Sequence, residues 1–242
     1  RNVWGKFAGY TWNLTENYGF TVSVYELDKS GRISCGVFKA SNAFEPELSE
    51  KEKVDIGEGF TLTYEFFDHR TPSLGYRIIE PLRLSVDTDK LALRGYKTGP
   101  WIKKLKNAVL QGCGDLLITS PCEGGEVTKK AAEFSEEFLI PQKPSSITYI
   151  TDCAPTDENM EKAVNFARGT DLLIVEAMFT AADAVHAAQK NHLTIDRAKK
   201  IFWDSNARSV RFTHFSSRYE QNKKSFFKEL TAGLENRIYS TE

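Results

Sequence analysis

Three side chains that commonly bind metal ions close three separate strand-like segments. His69 ends "TLTYEFFDH", Asp152 ends "SITYITD" and His214 ends "SVRFTH", and each is followed by turn residues. Because the ends of neighbouring strands meet at one edge of a sheet, these side chains can converge although they are far apart in sequence. Imidazole nitrogen and carboxylate oxygen suit zinc or manganese. Each residue taken alone also has a purely structural interpretation, as a helix cap or a hydrogen-bonded histidine.

Two further residues have the types that acid–base chemistry uses. Glu176 closes the apolar segment "DLLIVEA", and His192 lies in "KNHLT" at the start of a helical pattern. A carboxylate at the end of a buried strand needs a partner, because an unpaired buried charge is costly. An imidazole at a helix start can cap the helix, contact a phosphate or donate a proton. His186, in the Ala-rich "ADAVHAAQK", is predicted to lie on a helix surface.

The elements that must position these residues follow an alternating pattern in the second half of the chain. The segment "TDENMEKAVNFARG" predicts a helix capped by Thr156 or Asp157 and ended by Gly169. A second helical segment, "TIDRAKKIFWDSN", leads into the strand "SVRFTHF". Strand–helix–strand units of this kind predict right-handed crossovers and a largely parallel sheet.

The first part of the chain has a different pattern. The segments "FTVSVYEL", "GRISCGVFKA" and "FTLTYEFF" alternate apolar and polar residues, as strands do. Between them, "SNAFEPELSEKEKVDIGEGF" is predicted to be a charged, exposed connection. The fold class is therefore α/β, with an antiparallel N-terminal portion.

Composition narrows the function classes. The chain has 242 residues, of which 40% are hydrophobic, so it can bury a sizeable core. Lys+Arg number 32 and Asp+Glu 33, so a nucleic-acid partner requires a local basic patch. The four cysteines are far apart and form no CxxC pair, which indicates reduced thiols and a cytoplasmic protein. No apolar run approaches the roughly 18 residues of a membrane span, so we expect no membrane partner.

The one local basic patch that the sequence offers surrounds Trp101. Lys103, Lys104 and Lys106 follow it in "TGPWIKKLKN". These residues belong to a segment, at about residues 81–112, that is predicted to form an arm-like excursion outside the sheet. Helical spacing in this segment is broken at Gly99-Pro100. On the residues alone, the lysines are interpreted as a solvated helix face.

Several motifs, in order and at the expected spacing, resemble the ribonuclease Z family of the metallo-β-lactamase fold. The resemblance covers roughly Phe60 to Tyr219. The motifs that carry it are "FDHRTPSLGYRI", "YITDCAPT", "DLLIVEAMF", "NHLTIDRA" and "VRFTHFSSRY". In addition, "TGPWIKKLKN" resembles the Gly-Pro-containing arm with which this family holds transfer RNA.

The resemblance implies a role for each candidate residue. His69, Asp152 and His214 would be metal ligands, with Asp152 bridging two divalent ions, zinc or manganese. His192 would assist catalysis and be oriented by Glu176. The lysines of the arm would bind the RNA backbone, and the family suggests a homodimer in which one subunit's arm serves the other's active site.

The implied fold is a metallo-β-lactamase-like αββα sandwich, present here as a single incomplete domain over residues 1–242 whose N-terminal part is missing. The family's first motif, His-x-His-x-Asp-His, is absent, and no histidine precedes His69. Val175 stands where the family has a histidine, and "TDC" replaces Gly-Asp-Thr. Each metal therefore keeps two family ligands, too few for a tetrahedral site.

We expect the chain to be the C-terminal part of a longer protein. The alternatives are a natural degenerate homologue without metal, and a first half that is a separate polypeptide completing the site. The predicted function is a metal-dependent phosphodiesterase or endoribonuclease that processes transfer RNA precursors. Other hypotheses are a phosphodiesterase for a small substrate such as a cyclic nucleotide, and a non-catalytic module that binds RNA or a partner chain.

Overall fold

The computed structural model describes residues 19, 21–39, 41 and 45–239. The chain divides into two compact units, the first comprising Arg1–Ile78 with Ser146–Glu242 and the second comprising Ile79–Ser145. Within the described ranges, every helix is too short or too polar to cross a membrane.

The described residues form twelve strands and seven α-helices. The strands are β1 (Thr21–Leu27), β2 (Ile33–Lys39), β3 (Pro46–Lys51), β4 (Thr61–His69), β5 (Thr71–Ile79), β6 (Arg83–Val86), β7 (Leu117–Cys122), β8 (Gly125–Lys130), β9 (Leu139–Gln142), β10 (Ser146–Ile150), β11 (Leu172–Glu176) and β12 (Ser209–Thr213). The helices are α1 (Thr88–Leu93), α2 (Pro100–Leu110), α3 (Ala131–Phe138), α4 (Asp157–Phe166), α5 (Ala184–Lys190), α6 (Ile195–Asp204) and α7 (Lys223–Thr231).

A five-stranded sheet with the order β12-β11-β10-β5-β4 forms the centre of the first unit. Strand β11 pairs in parallel with both β10 and β12, which confirms the parallel sheet that the alternating pattern predicted. Alternate residues of these strands, among them Leu173, Val175 and Val210, are fully buried and share one core with residues of α4, α6 and α7. The strands of this sheet carry the site residues at their ends.

The two helices predicted from caps and periodicity are present. Helix α4 starts after Thr156, whose hydroxyl accepts a hydrogen bond from the Asn159 N–H at 3.2 Å. Helix α6 follows Thr194 and buries Ile195, Ala198 and Ile201, the spacing of a single helix face. Both helices therefore present an apolar stripe to the sheet, and α4 is in addition capped by a side chain at its start.

A separate three-stranded antiparallel sheet, β1-β2-β3, forms the N-terminal part of the described chain. Ile33, Cys35 and Phe38 of its central strand are buried. Pro46–Lys51, within the segment predicted to be a charged, exposed connection, is exposed but forms strand β3. All residues of β3 are exposed, so the apolar alternation that identifies half-buried strands is absent from this charged edge strand.

The second unit has a core of its own. Helix α2 begins with Pro100, which suits the first helical position because it lacks the N–H that would be unpaired there. Trp101 and Leu105 are buried, and they pack with Phe134 and Phe138 of α3. This unit is longer than the excursion predicted at residues 81–112, because β7, β8 and α3 complete the same core.

Gly75 of β5 provides a test of the packing beneath the sheet. A Cβ at this position would lie 2.6 Å from a ring carbon of Phe67 and 3.4 Å from one of Phe166. We expect Gly75→Ala to lower the free energy of unfolding by about 1–3 kcal/mol, as overpacked cores do. Urea denaturation measures the effect.

Gly114→Ala is the matched control for this substitution, because its new methyl group would meet its nearest neighbour, Ala132, at an ordinary 3.5 Å. Adding Phe67→Leu to Gly75→Ala should recover part of the loss by making room for the methyl group. A Gly75→Ala protein as stable as the wild type would contradict the described packing.

Candidate metal and catalytic site

The structure brings the predicted site residues together at one edge of the five-stranded sheet. His69 is the last residue of β4, Asp152 lies two residues after β10, and His214 directly follows β12. Ligand atoms of His69, Asp152 and His192 all lie within 4.8 Å of one another. The Oδ1 atom of Asp152 also lies 3.5 Å from Nδ1 of His214.

Two of these residues have left-handed backbone conformations. Asp152 has φ of 53° and His214 has φ of 59°. Asp and His tolerate this region better than most residues do, but a non-glycine residue there still costs about 1 kcal/mol or more. The conformation ends the extended strand and turns the chain at the position where the polar side chain stands. The left-handed conformation of His214 explains why the apolar strand β12 is followed directly by a histidine.

The carboxylate of Glu176 is completely buried, and three donors satisfy it. It accepts hydrogen bonds from the Cys153 N–H at 2.6 Å, from Nδ1 of His192 at 2.8 Å and from the Leu193 N–H at 3.3 Å. The partner predicted for this carboxylate is therefore His192, supported by two backbone amides. Since a carboxylate accepts, His192 carries its proton on Nδ1 and leaves Nε2 free to bind a ligand or a proton.

A carbonyl group holds His69 in the same way. Nδ1 of His69 lies 2.8 Å from the Asn191 carbonyl oxygen, so it must donate, and Nε2 is free to act as a metal ligand. The neighbouring Arg70 donates to the Gln189 carbonyl at 2.5 Å. Asn191 is the left-handed residue that ends α5, a common position for Asn. Sequence reasoning missed this support, although an Asn after a helix pattern is a recognisable C-terminal signal.

A polar cluster after β12 fixes the turn that follows His214. The Tyr219 hydroxyl donates to the Asp183 carboxylate, and an Arg218 guanidinium nitrogen lies 3.3 Å from the other oxygen of Asp183. The hydrogen bond from Tyr219 lowers the pKa of Asp183 below its usual value. The pKa of Tyr219 is raised, chiefly by burial and then by this bond. Asp183 was not predicted from the sequence, because it stands in an otherwise featureless Ala-rich segment.

The structure also shows the surroundings of three further residues that the sequence analysis discussed. His192 lies in the loop before Thr194, the cap of α6, and not within that helix. Val175 is completely buried among apolar side chains, so the position where ribonuclease Z has a histidine supplies no ligand. His186 lies on helix α5, as predicted, but its ring is half-buried and meets the Phe179 ring edge-on, with centroids 5.2 Å apart.

The three lysines of the predicted arm lie on α2 in the second unit. Lys103 and Lys104 are exposed and Lys106 is half-buried. The neighbouring Trp101 is buried, and its indole N–H donates to the Lys97 carbonyl at 2.8 Å. The lysines are therefore accessible to an anion, whereas the tryptophan packs the core of the unit.

The donors present fit one divalent ion better than two. The described residues contain two groups of three potential ligands, His69 with Asp152 and His192, and Glu176 with His192 and His214. Three ligands and an open position are the pattern of a catalytic zinc site. Both groups contain His192, however, and Glu176 is already satisfied by three hydrogen bonds. A second ion would need ligands beyond the described residues.

Comparison with known proteins gives a consistent result. No protein-family model matches the chain. A curated protein named ribonuclease Z from Thermobifida fusca is 34% identical over 181 residues, covering 74% of this chain and 51% of the relative. One from Deinococcus radiodurans is 26% identical over 221 residues, covering 89% of this chain and 63% of the relative. The chain is a partial relative of ribonuclease Z.

This similarity confirms the resemblance that the motifs predicted, and with it the metallo-β-lactamase-like α/β fold class, of which the chain carries a part. The chain spans 51% of the length of the first relative and 63% of the length of the second. The metallo-β-lactamase fold protein YhfI from Bacillus subtilis superposes with a TM-score of 0.41 at 14% identity, covering 75% of this chain and 46% of YhfI. At that TM-score the superposition carries no argument, so the assignment depends on the sequence similarity.

Replacing Glu176 tests the hydrogen bonds at the centre of the site. In Glu176→Gln an NH₂ group takes the place of one oxygen and faces a donor, so at least one bond is broken. We expect the free energy of unfolding to fall by about 1–3 kcal/mol. We also expect His192 to lose its single Nδ1–H form, which ¹⁵N NMR of the imidazole detects.

The matched control is Glu161→Gln, the same change at an exposed position of α4. It should leave both the stability and the His192 signals unchanged. Wild-type stability together with an unchanged His192 tautomer in Glu176→Gln would show that the buried carboxylate does not orient the imidazole.

Proposed function

We propose that this chain carries the catalytic part of a metal-dependent endoribonuclease of the ribonuclease Z type, which cleaves a phosphodiester of a transfer RNA precursor. The observation that carries the proposal is the grouping of His69, Asp152 and His214 around the buried Glu176–His192 pair. Similarity to curated ribonuclease Z proteins supports the same reaction class. An accessible row of lysines on α2 is compatible with an RNA substrate.

In this proposal His69, Asp152 and His214 are the metal ligands that the chain supplies. Asp152 suits a shared position because its carboxylate is near both histidines, within 4.8 Å of a ligand atom of His69 and 3.5 Å from Nδ1 of His214. Divalent ions held there would lower the pKa of water to about 7 and neutralise charge on the phosphate. Zinc and manganese both suit these donors.

His192 is the proposed proton donor to the leaving oxygen. Its Nδ1–H stays bound to Glu176, so a proton exchanged during the reaction must be carried on Nε2. The side chain of His192 is only 11% exposed, which limits competing exchange with solvent. Glu176 acts on the reaction through His192 and is a positioning residue.

The remaining ligands of a two-ion centre would come from a segment outside the described residues. We propose that this segment belongs either to a longer form of the protein or to a separate polypeptide that completes the site. The coverage of the curated relatives, 51% and 63% of their lengths, is in line with this view.

Cleavage assays with two substrates test the proposed function. A transfer RNA precursor and a small chromogenic phosphodiester are incubated with the chain and zinc or manganese, with and without a polypeptide carrying the first part of a ribonuclease Z. We expect metal-dependent hydrolysis of both substrates. Asp152→Asn should reduce it by more than about 100-fold, the upper range for loss of a metal-site partner.

Asp204→Asn, the same change at an exposed residue of α6, serves as the control and should retain full activity. Absence of cleavage in every combination would exclude the hydrolase. RNA binding without cleavage would then identify the chain as a non-catalytic module.

The lysines of α2 provide an independent test of the RNA substrate. Replacing Lys103, Lys104 and Lys106 with glutamine should weaken binding of transfer RNA and make it less salt-dependent, by about 0.9 in log–log slope for each phosphate that the variant no longer neutralises. Hydrolysis of the small phosphodiester should be unchanged. Filter binding at several salt concentrations measures the slope, and an equal loss on both substrates would argue against an RNA-holding arm.

A further inference from the structure

A solvent-open pocket adjoins His192 on the side of α5 and the turn after His214. Residues from three segments line it: Met178 and Phe179 after β11, His186 and Lys190 of α5, and Ser216, Ser217 and Arg218 of the turn, with His192 at one end. None of the residues that line it is acidic. The predictions from sequence assigned no ligand-binding role to Lys190, Arg218, Ser217 or His186.

The pocket carries two cationic groups that can bind an anion. Among the described residues, Lys190 forms neither an ion pair nor a side-chain hydrogen bond, and it stands in the last turn of α5. Arg218 has one guanidinium nitrogen near Asp183, at 3.3 Å, and its remaining N–H donors are available. Arg218 also stacks over the Phe179 ring at 5.9 Å, which fixes the position of its guanidinium.

The apolar floor of the pocket is unsuited to stacking a nucleobase. Phe179 is only 2% exposed, since Arg218 and the edge of His186 cover its ring. What the pocket offers to a ligand is therefore positive charge, together with the hydroxyl groups of Ser216 and Ser217. These groups match a phosphate oxygen and provide no means of distinguishing one base from another.

We propose that this pocket binds a second backbone phosphate of a single-stranded polynucleotide, next to the one that is cleaved. The inference rests on the proposed function, in which His192 donates a proton to the leaving oxygen. Because His192 forms one end of the pocket, the bound phosphate belongs to the leaving strand. Lys190 and Arg218 hold it without regard to sequence, and it aligns the leaving oxygen with His192.

Binding to the metal-free chain tests this subsite separately from catalysis. The isotope-labelled protein in EDTA is titrated with a uridine hexanucleotide and, separately, with inorganic phosphate, and amide NMR signals of Lys190, Ser217 and Arg218 are followed. Because these signals are local, binding to the lysines of α2 does not contribute. We expect saturable shifts with the hexanucleotide at lower concentrations than with phosphate.

Lys190→Gln should weaken hexanucleotide binding at these signals by about five- to tenfold, and lower its log–log salt slope by about 0.7, the value for one phosphate of a single strand. The control is Lys224→Gln, an exposed lysine of α7 that does not line the pocket. Arg218 is a poor choice for substitution because it also holds Asp183.

Each outcome of this experiment is decisive. Weakening by Lys190→Gln alone supports the subsite. Three results would overturn the subsite. The first is that no shifts occur, and the second is that Lys190→Gln and Lys224→Gln have equal effects. The third is that phosphate binds as tightly as the hexanucleotide. Because no metal is present, failure here leaves the cleavage assays unaffected, and failure of cleavage with intact binding leaves an RNA-binding site.

Discussion

The buried carboxylate of Glu176 is the constraint on which the site depends. A completely buried charge is tolerated only when it is well satisfied, and here three donors from two other segments must reach it. Cys153 N–H fixes the chain next to Asp152, while His192 and Leu193 fix the loop between α5 and α6. A single side chain at the end of β11 thus sets the positions of a proposed ligand and the proposed acid.

The surrounding contacts extend this arrangement outward. The Asn191 carbonyl, one residue before His192, holds the ring of His69, so the loop fixed by Glu176 also orients the end of β4. The burial of Cys153 raises its thiol pKa, so this residue, which lies in contact with Glu176, stays a neutral spacer. Farther out, Asp183 ties Tyr219 and Arg218 to the segment after β11. The site is consequently built from loops, yet each loop is held by hydrogen bonds to a neighbouring one.

Sequence patterns predicted the parts of this arrangement that depend on local chemistry. Polar residues at the ends of apolar strands identified His69, Asp152, Glu176 and His214, and the cap of α4 was visible in the sequence. Patterns did not predict β3, because an exposed edge strand carries no apolar face. They also missed Asp183 and the contact of His186 with Phe179, since both environments depend on residues distant in sequence, Tyr219 and Phe179 in particular.

The chain therefore contains both residues of the proposed proton-donor pair, Glu176 and His192. It contains only some of the ligands that the proposed two-ion centre needs. We propose that His69, Asp152 and His214, three separate strand ends, are the metal ligands that this chain supplies. The most direct test is zinc stoichiometry after equilibrium dialysis of the wild type and of Asp152→Asn. We expect about one zinc ion bound per wild-type chain, because the donors present fit one divalent ion better than two, and loss of that ion in the variant. A wild-type chain that retains no zinc, or a variant that retains as much, would contradict it.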